Sequence, residues 1–328
     1  MPYLKSLDYQ PNFLNRISHF NTICTALFRK PDLLPSNRYR LELEDGDFMD
    51  LDWSQQGRDR LVILLHGLEG SADRPYMVGM AGAFHKIGFD SLRVNLRGCS
   101  GETNRLVKTY HSGATEDLQY VLDYVFKDHP SYQEIVISGF SLGGNIVLKY
   151  TGDIGDGIDS RIKAAIGISV PCDLTSCAVA IGQKNNYVYN QRFLSNLRDK
   201  VKVKKGMLPP DMDYEQLLSA KNFHEFDHWF TAKANGFKSA AHYWETCSSK
   251  PVLSQIAIPT LLLTAQDDSF LGEECYPYAI AEESTIFYFM APKYGGHVGF
   301  SGDNRDGMLW SEYVVTQFVK ERLGTADD

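Results

Sequence analysis

Short, mainly apolar runs alternate with helix-patterned stretches along most of this chain, and that rhythm limits the folds open to it. "RLVILLHG" (60–67), "FDSLRVN" (89–95), "EIVISGF" (134–140), "IKAAIGISV" (162–170), "IPTLLLT" (258–264) and "STIFYFM" (284–290) have strand length and little polar character. Strands of this kind, separated by helices, predict a mostly parallel sheet covered on both faces. The intervening stretches fit. Residues 75–86 read as a helix, and "GATEDLQYVLDYVFKDHP" places Leu118, Val121, Leu122 and Val125 on one helical face before Pro130 closes it. "MLWSEYVVTQFVKERL" reads as a closing amphipathic helix. Upstream, "RYRLELEDGDFMDLDW" alternates around Asp45-Gly46, a hairpin signal. One segment, 172–255, carries no strand-like run and reads as helical throughout. The expectation is a single domain over 1–328 with 172–255 inserted as a lid.

Within this pattern, "EIVISGFSLGGNIVLKYTGD" joins a strand to a helix through Gly139-Phe140-Ser141-Leu142-Gly143, a G-x-S-x-G with Gly144 beside it. A nucleophile at such an apex occupies a strained backbone, and only glycines fit where neighbouring backbone crowds the turn. The turn would aim the Ser141 hydroxyl into the crevice at the carboxyl ends of the strands. It would also set the Leu142 amide at a helix N-terminus, ready to stabilise an oxyanion.

A serine needs a base, and in folds of this kind the chain order is serine, acid, histidine. Of nine histidines, His297 is the only one C-terminal to the "TAQDD" strand end, in the glycine-rich "KYGGHVGF". The acid is expected after the penultimate strand, where Asp267 and Asp268 stand side by side and the residues alone do not separate them. A first oxyanion donor is expected from "LLHGLEGS", through the Leu68 amide, with Gly67 admitting the substrate.

The composition excludes other classes. Acids outnumber bases 41 to 33, a net charge of −8, which argues against nucleic-acid binding. The local cluster Lys200, Lys202, Lys204 and Lys205 reads as a solvated face, with contact to an anionic lipid surface as the minor alternative. No apolar run approaches a membrane span, and the opening "MPYLKSLDYQPNFLNRISHF" lacks a leader pattern. The six cysteines form no CxxC, so reduced thiols and a cytoplasmic location are expected, with Cys172 and Cys177 the nearest pair. His224-Glu225-Phe226-Asp227-His228 spells H-E-x-x-H, but a charged residue separates the ligands and no third ligand is evident, so no metal is expected. His66, Arg97 and Cys99 read as loop-shaping residues. The aromatics Phe193, Phe223, Trp229, Phe230, Phe237, Tyr243 and Trp244 read as lid core, a minority of them lining an acyl pocket.

The chain resembles the α/β-hydrolase superfamily and, within it, the YheT-like branch related to the eukaryotic abhydrolase-domain lipases. "DGDFMDLDW", "LLHGLEGSADRPYM", "VNLRGCSGE", "YHSGATEDL", "GFSLGGN", "FDHWFTAKANGF", "IPTLLLTAQDD" and "GGHVGF" carry the resemblance, which covers nearly the whole chain. It implies a sheet of about eight strands with helices on both faces, a helical lid, and hydrolysis of carboxylic esters, often of acyl lipids. It also implies that the triad acid is the second aspartate, Asp268; here Ser269 stands where the family has proline. The expected activity is that of a serine esterase on short or medium acyl esters or monoacylglycerol-like lipids, with no cofactor. Acyl transfer, thioester hydrolysis and non-catalytic binding are the alternatives. The expected partner is a small ester or lipid, not nucleic acid. Peripheral membrane contact and oligomeric state stay open.

Overall fold

The computed structural model describes residues 9–324. The first eight residues of the stretch read above for a leader lie outside the described residues. Eight strands form one sheet in the order β1-β2-β4-β3-β5-β6-β7-β8. They are β1 (Asn37–Glu42), β2 (Phe48–Ser54), β3 (Arg60–Leu65), β4 (Asp90–Asn95), β5 (Glu134–Phe140), β6 (Ile162–Ile168), β7 (Thr260–Leu263) and β8 (Phe287–Met290). Strand β2 runs antiparallel to both neighbours, and β3 to β8 are all parallel. The expected hairpin is β1–β2, with Asn37 opposite Trp53 and Gly46 at φ 84° in the turn.

Helices α1 (Ser18–Phe28), α2 (Pro75–His85), α3 (Thr115–Asp128) and α4 (Leu142–Ile154) precede β6 or join the strands before it. The side-chain alternation of β3 divides the core. Leu61, Ile63 and Leu65 pack with Leu118, Val121, Leu122 and Val125 of α3 and Ile146 of α4. Val62 and Leu64 pack on the other face with Met77, Met80 and Phe84 of α2. That face also holds Trp310, Val314 and Phe318 of the closing helix. The chain leaves β3 for β4 on one side and then crosses to β5 on the other. The resulting switch point opens a crevice at the strands' carboxyl ends.

Between β6 and β7 the described residues form only helices and turns: α5 (Leu174–Ile181), α6 (Tyr187–Val203), α7 (Tyr214–Ser219), α8 (Phe223–Phe226), a π-turn (Asp227–Thr231), α9 (Ala232–Ala234) and α10 (Ala240–Cys247). Four of the helix starts are set locally. Asp173, Asp213, Asn222 and Ser239 each accept a hydrogen bond from the backbone N–H three residues on. The segment has its own core of Leu194, Val201, Leu217, Phe226 and Phe230. Helix α11 (Tyr278–Glu283) lies between β7 and β8, and α12 (Trp310–Leu323) closes the chain.

Only half of the lysine cluster is a solvated face: Lys202 and Lys205 are exposed, and Lys200 and Lys204 are not. Lys204 is 1% exposed and its ammonium donates to Asn104 Oδ1 at 2.7 Å. Lys200 reaches down from α6 to pair with Glu69 at 2.9 Å. Lys200, in the last turns of α6, and Lys204, four residues on at its end, point the same way and meet acceptors on the loops below.

Candidate active site

Phe140 ends β5 and Leu142 begins α4, so Ser141 alone makes the turn. Its backbone sits at φ 51°, ψ −120°, a sparsely populated conformation that costs on the order of 1–3 kcal/mol. Surrounding backbone imposes it: Ser141 N–H donates to Ile168 O at 2.8 Å, and Ser141 O accepts from Asn145 N–H at 3.0 Å. The glycines are sterically required. A Cβ on Gly139 would stand 2.3 Å from the Gly143 carbonyl carbon, and one on Gly143 only 2.5 Å from His66 O. One on Gly144 would stand 2.5 Å from Val170 Cγ2.

His297 is held differently. Its loop bends through left-handed conformations at Gly296 (φ 59°), Val298 (φ 58°) and Phe300 (φ 46°). Three side chains from distant elements catch consecutive amides. Gly296 N–H donates to Asp267 Oδ1 at 2.8 Å, His297 N–H to Thr22 Oγ1 at 2.9 Å, and Val298 N–H to Ser169 Oγ at 3.0 Å.

The His297 imidazole lies with Nδ1 2.8 Å from Asp268 Oδ2. Against a carboxylate Nδ1 is the donor, which leaves Nε2 as the acceptor of the neutral ring. Phe270 stacks on the imidazole with centroids 4.4 Å apart, and its own amide donates to Asp268 Oδ1 at 3.0 Å. The Asp268 side chain is fully buried. Asp267 turns away to the loop amide, its Oδ2 is buried without a partner among the described residues, and burial pushes its carboxyl up to about 6. Ser269, at the family's proline position, donates to Asn186 Oδ1 at 2.8 Å and so ties this loop to the helical segment above.

The loop after β3 presents a backbone donor. Gly67 N–H donates to Tyr76 Oη, Glu69 N–H to Tyr110 Oη and Gly70 N–H to Gly67 O. The Leu68 amide between them has no partner among the described residues, nor does the Leu142 amide at the first position of α4. A Cβ on Gly67 would lie 3.1 Å from Ser141 Cβ and 3.8 Å from its Oγ, so glycine keeps this approach open. His66 is fully buried and structural. Its Nε2 accepts from Leu96 N–H, so Nδ1 donates to Gly67 O at 2.7 Å, and burial lowers its pKa to about 4. Arg97 is buried among Asp45, Asp47 and Asp117, fixing the loop after β4.

Ser141, His297, Leu68 and Leu142 all line one cavity of about 340 Å³. Ile23 and Leu27 of α1, Ile181, Tyr189 and Phe193 form much of its apolar wall, while Thr109, Ser112, Asp227 and Thr231 are among its polar groups. Of the aromatics expected to be chiefly lid core, Phe193, Phe223, Phe230, Tyr243 and Trp244 line this cavity. The expectation of a minority is corrected: the cavity lies against the segment's own core, so one ring serves both.

Other motifs resolve plainly. The His224 and His228 rings stack 6.1 Å apart, and Glu225 accepts from Lys221 N–H. Among the described residues no group of three or more His, Cys, Asp or Glu is arranged to hold a metal. All six cysteines are free, and the sulfur neighbour of Cys177 is Cys275 at 3.3 Å, from the far side of β7. No described helix is long and apolar enough to cross a membrane. Sequence reading missed Thr22, Ser169 and Phe270. A lone Thr, Ser or Phe carries no local signal when its partner is far away in the chain.

Comparison with known proteins matches residues 60–300 to a family model described as the alpha/beta hydrolase fold. The chain is 36% identical over 316 residues to YheT of Escherichia coli (strain K12), a protein carrying an esterase name, covering 93% of this chain and 91% of that one. It is 29% identical over 300 residues to phospholipase ABHD3 of Homo sapiens, covering 87% of this chain and 73% of the relative. Among solved structures, the Pyrococcus furiosus esterase Pf2001 superposes with a TM-score of 0.60 at 16% identity, covering 89% of this chain and 94% of that one.

Proposed function

The chain belongs to the α/β-hydrolase family, and on that premise we propose that it is a serine ester hydrolase working through Ser141, His297 and Asp268. One observation carries the reading: a serine on a strained strand-to-helix turn shares a cavity with an imidazole hydrogen-bonded to a buried carboxylate. His297 Nε2 takes the Ser141 proton as Oγ attacks the acyl carbonyl. The Leu68 and Leu142 amides receive the oxyanion. The imidazolium then protonates the leaving alcohol, and water, activated by the same nitrogen, releases the acyl group. Asp268 holds the tautomer and stabilises the imidazolium. Phe270 fixes the ring plane. The esterase and phospholipase names of the two sequence relatives support the ester-hydrolase class.

The cavity supports a substrate class. Its volume, about 340 Å³, lies at the small end of ligand pockets. That supports short or medium acyl esters or monoacylglycerols over lipids with two long chains. The helical segment 172–255 acts as the lid, since α5, α6 and the π-turn wall the cavity from above. The test is hydrolysis of a p-nitrophenyl ester series by wild type, Ser141→Ala and His297→Ala, with and without a chelator. Turnover lost in both variants and indifferent to the chelator is expected. Turnover that survives in Ser141→Ala would sink the proposal. Product esters formed in the presence of added alcohols would redirect it to acyl transfer.

A further inference from the structure

Helix α1 is inverted. A helix packed on a protein normally buries its apolar side. Here Asn21 and Thr25 are buried, and the exposed side carries Ile17, Phe20, Ile23, Leu27 and Phe28. The polar face is engaged: Asn21 Oδ1 accepts from Ser301 N–H at 3.0 Å, and Thr25 Oγ1 donates to Gly299 O at 3.1 Å. The apolar face continues beyond the helix. Phe13 before it is 78% exposed, and on the neighbouring lid helices Val188 is 75% and Val179 61% exposed. The His19 ring stacks on Tyr189 at 5.6 Å, which joins α1 to the start of α6. An apolar expanse of this kind marks an interaction site rather than ordinary surface.

Charge identifies the occupant. The segments 9–31 and 174–198 contain no Asp or Glu, although acids outnumber bases 41 to 33 over the chain. They carry Arg16, Lys30, Lys184 and Arg192, all exposed and none in an ion pair among the described residues. Apolar residues rimmed by unpaired bases on an otherwise acidic protein match the interfacial layer of a negatively charged bilayer. The lysines of 200–205, the cluster that stands out in the sequence, are not this site, since Lys200 and Lys204 are used internally.

We propose that α1 and the starts of α5 and α6 form a docking face for an anionic lipid surface, with the active-site cavity opening through it. Ile23, Leu27 and Ile181 belong both to these helices and to the cavity wall, so an acyl chain leaving the bilayer enters along the docked face. The same helix holds the His297 amide through Thr22, so the docked element also positions the base. The docking stands independently of the ester-hydrolase reading; only the identity of what is delivered rests on it.

The experiment is co-sedimentation with phosphatidylglycerol/phosphatidylcholine vesicles and with phosphatidylcholine vesicles alone. Wild type binds the mixed vesicles and releases in high salt. Phe13→Asp/Phe20→Asp/Val188→Asp, at positions outside the cavity, weakens partitioning at least ten-fold and leaves hydrolysis of soluble p-nitrophenyl acetate unchanged. Arg16→Glu/Lys184→Glu, at exposed positions, removes the preference for the anionic vesicles and keeps the test intact should the triple variant misfold. Absence of wild-type binding, or variants that bind like wild type, overturns the proposal. So does a dimer in ultracentrifugation that the triple variant dissolves while vesicles stay bare, because a second copy would then be the occupant. Ser141→Ala binds vesicles like wild type, so a failure of the esterase reading leaves this result separately legible.

Discussion

The turn carrying Ser141 and the loop carrying His297 meet in one cavity but are built in opposite ways. The turn is made by close backbone packing, its own and that of the strand ends beside it. Gly139, Gly143 and Gly144 admit contacts that a Cβ would bring to 2.5 Å or less, and the strand and helix on either side leave one residue to reverse the chain. The loop is made by others. Thr22 from α1, Ser169 from the end of β6 and Asp267 from the end of β7 each catch one of its amides. A site assembled this way has one half that fails through sterics and another that fails through lost hydrogen bonds.

Mutations separate the halves. The largest effect is on chemistry: Ser141→Ala lowers kcat by on the order of a million-fold, read with the best p-nitrophenyl ester, with thermal stability unchanged, because alanine keeps the Cβ and so the same strain at φ 51°. Next come the paired aspartates. Asp268→Asn costs on the order of 10⁴ in kcat, as loss of the tautomer-holding carboxylate does elsewhere. Asp267→Asn keeps an acceptor for the Gly296 amide, so the loop holds and kcat stays within about ten-fold, the most that a weakened hydrogen bond of typical net strength would cost. Equal losses at the two positions would show that the loop, rather than the carboxylate facing the ring, is what matters.

Gly143→Ala probes the turn itself. Its Cβ would meet backbone at the end of β3, at Leu65 O and the following His66 O, and overpacking of this kind costs about 1–3 kcal/mol, occasionally more. The urea midpoint reads it, and a stable, active variant would refute the steric account. The loop has its counterpart. Thr22→Val leaves the His297 amide unsatisfied, costing about 1–3 kcal/mol and lowering kcat roughly ten-fold by the same principle, with KM little changed.

The smallest effect is in pH. The Asp267 carboxyl is pushed up to about 6 by burial. The folded state therefore favours its protonated form. The ionised group weighs against folding above about pH 6, and that burden fades as pH falls through 6 towards the ordinary carboxylate range. Asp267→Asn accordingly raises Tm at pH 8 and leaves it unchanged at pH 4. A Tm difference independent of pH would contradict this.

Legibility followed the same divide. The strands of both sheet faces, the β1–β2 hairpin and α3 with its buried stripe were readable, because periodicity and turn chemistry are local. Ser141 was readable from its glycines, and His297 from chain order and a glycine-rich loop. Asp267 and Asp268 could not be parted by residues alone, since their difference is which way each side chain leaves a turn; the family resemblance favoured Asp268, the carboxylate that lies against the His297 ring. Lys200 of α6 and Lys204 just after it misled. A run of charge reads as solvent-facing until the loops beneath supply Glu69 and Asn104 as acceptors.

What the sequence determined by itself was the alternation of strand and helix, the sharp turn at Ser141 and the order in which Ser141, Asp268 and His297 follow one another, since each is written in residues close together or in their succession. Only the tertiary structure decided which carboxylate meets the imidazole, which side chains brace the His297 loop, and that α1 turns its polar face inward and its apolar face out. Those outcomes depend on contacts between residues as far apart as Thr22 and His297, and burial and hydrogen bonding across such distances exist only once the chain has closed on itself.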